Sequence, residues 1–275
     1  MTDQDHLDRI NALTRNARST WFALLAALVF VGITLMEVEH IDLYGVDRAT
    51  QLPLVNVEVP TPYFFVAAPI LIAAIYGYFH LYLIRLWDAL GAAPPRLNGI
   101  RLGDAVTPWL VTDAALHFRR RMRGDNAAMP RTLEGGAMLL NFLLAWGFGL
   151  IVLYFLWRLS MPAREFWMTG IAASGFAISI VTGASSLAMM ARRMRQPPTS
   201  EPIRLWATGF QTLGLIIGGA ALLWNSYQRT EGSLSQLAHL NLSGENIVER
   251  PAGWLSYRDA RAEFRATWCR REREG

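Results

Sequence analysis

Long apolar runs alternate with polar, arginine-rich stretches along the chain. Five runs carry enough uninterrupted apolar residues to cross a hydrocarbon core of roughly 30 Å as helices, which takes about 20 residues each. They are 20–36, 63–86, 136–157, 166–190 and 205–224. The first is near the short limit. It reads as a retained span, because residues 1–19 are mostly polar and no small-x-small cleavage pattern follows the run. The pattern predicts an all-α membrane protein: a five-span transmembrane helical bundle with short extramembrane helices. Its parts are a cytoplasmic tail 1–19, a membrane domain 20–224 with a basic cytoplasmic loop at 87–135, and an outer tail 225–275.

Composition narrows this further. Of 275 residues, 52% are hydrophobic and 17% charged, against about 25% charged in soluble domains, which argues against an ordinary soluble enzyme. Every basic residue is arginine, as in GC-rich bacterial genomes. Arg9, Arg15 and Arg18 precede the first run; Arg85 to Arg131 fill the second link, and Arg192, Arg193, Arg195 and Arg204 the fourth. Only Arg48, Arg158 and Arg164 lie in the alternate links. This bias places the amino terminus in the cytoplasm of a bacterial inner membrane and the carboxyl terminus outside. The arginines of the outer tail lie mostly too far from the last span to vote. Trp21, Tyr63, Trp87, Trp157, Trp167, Trp206 and Trp224 sit near the proposed ends, as interfacial aromatics do. The net charge of +4 arises from patches, so anionic lipid is the expected partner and nucleic acid is not.

Chemistry-bearing residues are sparse at membrane depth. The runs contain no acid, and no arginine away from their ends, whereas ion and proton pathways usually expose such groups. His80 is the single histidine within a run, with Tyr76 one turn before it. A hydrogen-bonded packing role is its first reading and a titrating site its second; bis-histidine haem ligation would need another intramembrane histidine. Asn141 and Gln211 read as interhelical hydrogen-bonding groups, and Pro69 as a possible bend. Gly175, Ser179 and Gly183 recur four apart, as do Gly214 and Gly218. Such faces let helices approach closely, within the monomer or in a homodimer. No phosphate loop, His-Glu-x-x-His or Gly-x-Ser-x-Gly motif is present. The lone Cys269 makes neither an intramolecular disulfide nor a multi-cysteine metal site. Asp113 and His117 have helical i, i+4 spacing and read as a surface pair. No catalytic, cofactor or metal residue is assigned.

Two extramembrane segments have amphipathic character. Val106, Trp109, Leu110, Ala114 and Phe118 recur near helical spacing and lead into Arg119, Arg120, Arg121 and Arg123. This suits a helix on the inner leaflet whose arginines meet lipid headgroups. In the outer tail, Ser256 and Asp259 have capping-box spacing. Tyr257, Ala260, Phe264 and Trp268 then form an apolar stripe.

The runs beginning at Trp21, Thr50, Phe79 (Phe-His-Leu-Tyr-Leu-Ile-Arg-Leu-Trp) and Pro108 (Pro-Trp-Leu-Val-Thr-Asp) resemble the membrane region of bacterial pentapeptide-repeat-containing membrane proteins. The resemblance implies a solenoid after the membrane region, and Asn241-Leu-Ser-Gly-Glu-Asn-Ile247 resembles its opening phrase. The phrase does not continue past Pro251, and a coil needs four five-residue units, so no solenoid is expected. The expected function is that of a non-enzymatic scaffold or anchor acting through a protein partner or homo-oligomer. Trp254, Tyr257, Phe264 and Trp268, with the loop from Leu52 to Val59, would form its outer contact surface. The alternative is a channel, transporter or membrane-permeabilising effector with His80 in its path.

Overall fold

The computed structural model describes residues 2–38, 40–43, 49–52, 57–124, 135–195 and 202–234. Helix α1, Asp3–Glu37, is one continuous helix of 35 residues, about 50 Å long. Residues 3–19 are therefore no separate tail. A capping box starts the helix: the Asp5 N–H donates to Thr2 Oγ1 at 3.2 Å, and the Thr2 N–H to Asp5 Oδ2 at 2.7 Å. These bonds hold the Asp5 carboxyl below its ordinary range. The polar half carries a buried stripe, Ile10, Thr14 and Ala17, which continues into Leu24, Leu28, Val31 and Leu35. It is anchored by Asp3 Oδ2, which accepts the Asn98 N–H at 2.9 Å, and by Asn11 Oδ1, which accepts the Thr107 N–H and hydroxyl at 2.9 and 3.0 Å.

Between the first two long helices, β1 (Ala49–Leu52) and β2 (Val57–Pro60) pair antiparallel, where the sequence suggested a loop. The hydroxyls of Thr50 and Thr61 meet at 2.8 Å and tie this hairpin to helix α2, Thr61–Ala92. A second hairpin follows α2, with β3 (Arg96–Leu97) against β4 (Ile100–Arg101). Its turn is Asn98-Gly99, with φ of 51° and 79°, the positive-φ pair that a two-residue hairpin demands. Helix α3 (Leu102–Ala105) leads to α4 (Leu110–Arg123).

A single helical run occupies Gly135–Ala163. It comprises α5 (Gly135–Phe142), a π turn at Leu143–Gly147, α6 (Phe148–Ser160) and a final 3₁₀ turn. Helices α7 (Phe166–Arg195) and α8 (Pro202–Thr230) follow. Among the described residues, four helices are long and apolar enough to cross a membrane: α1, α2, the 135–163 run and α7. Helix α8 packs along α7, with Leu223 against Gly170 and Gly219 near Ala177. Helix α2 is central, touching α1, α6 and α7. Pro69 meets Gly175, Tyr76 meets Gly183, Trp87 meets Ser186 and Gly91 meets Arg193, so α2 and α7 run parallel.

The ends of α2 and α7 are closed by α4. Its inward face is Val111, Thr112, Ala115, Leu116 and Arg119. The helix docks on the bundle, rotated from the expected stripe, in which Leu110 and Ala114 prove only half-buried. Arg119 is 2% exposed. It donates to Leu90 O at 2.5 Å and Ala93 O at 2.9 Å. Arg123 donates to Gly91 O at 3.2 Å and Met194 O at 2.9 Å, and also to Arg193 O. Arg193 itself pairs with Asp88 at 2.6 Å. Arg119 and Arg123 are thus corrected from headgroup contacts to caps on backbone carbonyls, while Arg121 is exposed. Gly124, at φ 66°, ends α4 in the left-handed conformation that glycine adopts freely.

Replacing Arg119 by Ala leaves desolvated carbonyls without their donor and should lower unfolding stability in detergent by about 3 kcal/mol. Arg121→Ala should stay within about 0.5 kcal/mol. Thermal unfolding of the two variants side by side checks this.

Candidate functional site

The polar centre of the bundle is built around Tyr76. Its ring is fully buried in α2, and two glycines on other helices make the space. A Cβ on Gly149 would stand 2.5 Å from the ring, and one on Gly183 2.6 Å from the hydroxyl. The hydroxyl donates to Trp146 O at 3.1 Å. Trp146 lies in the π turn, where the Phe148 N–H bonds to Leu143 O. A wider turn of this kind interrupts the regular ladder, and here a donor from another helix reaches a carbonyl within it.

His80 stacks on Tyr76, with ring centroids 4.1 Å apart, and meets Trp146 edge-on at 5.9 Å. Its Nδ1 lies 2.9 Å from Tyr76 O. Because a carbonyl only accepts, Nδ1 carries a proton, and in the neutral ring Nε2 then presents a lone pair. That Nε2 is buried without a partner, as are Trp146 Nε1 and Ser179 Oγ. The three residues are at most 5% exposed. Among the described residues no three His, Cys, Asp or Glu side chains gather to hold a metal.

Gly175, Ser179 and Gly183 line the α2 seam: a Cβ on Gly175 would stand 3.2 Å from Pro69 O. Gly214 and Gly218 do not take part, since a Cβ on either would meet nothing within 4 Å. Asn141 is buried, and the side chain of Gln211 lies outside the described residues. No hydrogen bond joins Asp113 to His117; burial pushes the Asp113 carboxyl up, and His117 Nδ1 is buried without a partner. Trp254, Tyr257, Phe264, Trp268 and Cys269 lie outside the described residues, as do the side chains at 52–58.

The aromatic residues divide. Tyr63, Trp167 and Trp224 are exposed, as an interfacial belt requires, while Trp87 and Trp157 are buried and donate to Ser186 Oγ at 3.4 Å and Ser226 Oγ at 2.9 Å. Sequence reasoning missed Trp146, Gly149, Gly91 and these two serines. Small residues scattered through the spans were the only signal for them. A cleft of about 640 Å³ between α2, α7 and α8 is lined by Ile70, Ala73, Ile171, Ser174, Ile178 and Leu223. The Ser174 hydroxyl bonds Gly170 O within its own helix, so the cleft presents hydrocarbon.

Adding a methyl at Gly183 should force Tyr76 off Trp146 and destabilise the bundle by about 1–3 kcal/mol, whereas Gly214→Ala should be near neutral. Tyr76→Phe, which removes only the hydroxyl, should cost about 1 kcal/mol. Unfolding midpoints in detergent rank the three. The chain matches no protein-family model, no curated protein and no solved structure.

Proposed function

We propose that the protein is a non-enzymatic, multi-pass bacterial inner-membrane scaffold or anchor that packs with other proteins. In this reading α8 is the fifth span, the amino terminus is cytoplasmic and the carboxyl tail outside. The orientation is supported by Arg9, Arg15, Arg18, Arg85, Arg192 and Arg195, which are exposed towards one end of the bundle. The observation that carries the function is where the polar groups go. Tyr76, Trp87, Trp157, Arg119 and Arg123 are spent on fastening one helix to another, which makes a rigid membrane platform. The tail stripe of Tyr257, Phe264 and Trp268, with Trp254, is the proposed partner contact, in keeping with the resemblance to pentapeptide-repeat membrane proteins.

Full-length chain and a chain ending at Leu240, each solubilised and captured under native conditions, compare this directly. The full chain should retain partners that the shortened one loses, and an identical partner set from both would sink the assignment. A second reading, a channel or transporter using His80, is favoured by one observation: the buried, unpartnered Nε2 of His80, whose ring meets Trp146 edge-on. Proteoliposome flux separates the two. The scaffold reading expects no specific flux, whereas flux abolished by His80→Ala and untouched by tail removal establishes transport.

A further inference from the structure

Helix α2 turns one face outward, bordered at Ile70 by the cleft to α7 and α8, and that face is not uniformly apolar. Ile70, Leu71 and Leu81 are exposed along it. So is Tyr78, at 54%, with Tyr82 partly exposed and Arg85 exposed one turn further on. The two tyrosine hydroxyls lie 2.9 Å apart, with the rings edge to face at 5.0 Å.

A pair of hydroxyls sharing one hydrogen bond uses one proton and leaves the other unspent. No other acceptor for it exists among the described residues, and a donor facing hydrocarbon without an acceptor is costly. Arg85 is likewise without an ion-pair partner among the described residues. Along the helix, the Cα atoms of Tyr82 and Tyr78 lie about 4.5 and 10.5 Å deeper than that of Arg85, and their joined hydroxyls, 2.9 Å apart, share one level. An acceptor at that level, beneath an anion at the surface, has the layout of a phospholipid: phosphate above, a glycerol ester carbonyl below. A protein segment there would have to satisfy its own backbone first.

We propose that Tyr78, Tyr82 and Arg85 form a binding site for one anionic phospholipid. The guanidinium holds the phosphate, the free hydroxyl proton goes to an ester carbonyl, and the acyl chains lie along Leu81, Leu71 and Ile70. The proposal rests on α2 crossing the bilayer. Failure of that premise shows separately, as failure of the chain to enter bilayer discs at all.

The test is native mass spectrometry of the full chain released from discs of equal phosphatidylglycerol and phosphatidylcholine. The wild type should carry phosphatidylglycerol preferentially. Arg85→Gln should lower that retention about fivefold, and Arg85→Lys should keep most of it. The Tyr78→Phe/Tyr82→Phe double variant should also lose about fivefold. Arg18→Gln, which removes another exposed arginine near the membrane surface from α1, should change retention less than twofold. Equal losses from Arg18→Gln and Arg85→Gln, or full retention in the double tyrosine variant, would overturn the site in favour of a diffuse basic surface.

Discussion

A helix that ends against other protein leaves its last carbonyls without donors, and in this bundle two such ends lie side by side. Helices α2 and α7 run parallel and finish together, with the Gly91 backbone so near Arg193 that a Cβ there would stand 2.9 Å from its carbonyl oxygen. Water is largely excluded from this junction. The donors come from α4: Arg119 serves α2, and Arg123 serves both helices. A guanidinium suits the task because it is planar, permanently charged and carries five N–H donors. The rest of the architecture depends on this closure, because it fixes the register of the two central helices and seats α4 upon them.

The same rule, that buried polar groups must find partners within the protein, governs the depth of the membrane region. The π turn at 143–147 brings a carbonyl within reach of Tyr76, and Gly149 and Gly183 yield the space for the ring. Trp87 and Trp157 take serine hydroxyls on neighbouring helices. Ser186 and Ser226 are each bound this way by an indole, while Ser179, about two turns from Ser186, is left unbound. His80 Nε2 is likewise buried without a partner, which sets it apart from the indoles and hydroxyls that join one helix to another.

Much of the helical layout was legible in the sequence, because apolar run length is a one-dimensional signal. The runs at 63–86, 136–157 and 166–190 fall within helices of nearly those bounds, and the seam at Gly175, Ser179 and Gly183 follows from helical spacing. The first run was legible only in part. Its polar half continues as helix because Asn98 and Thr107, far away in sequence, supply partners for Asp3 and Asn11. Charge was the least transparent signal. A cluster of arginines reads as a surface feature, and nothing local says that Arg119 turns inward while Arg121 does not. That choice belongs to the carbonyls of α2, which composition cannot place. Trp146 was hidden for a similar reason, since the turn that presents it is set by packing rather than by any breaker residue.

The parallel course of α2 and α7 has an electrical consequence. Antiparallel neighbours cancel their dipoles, but these two add, so their joined ends carry a negative charge of about one elementary unit. Arg119 and Arg123 sit within that field and neutralise it. The arginine-rich face is accordingly less positive once folded than its residue count implies. A topological signal strong in the nascent chain is partly discharged by the finished protein.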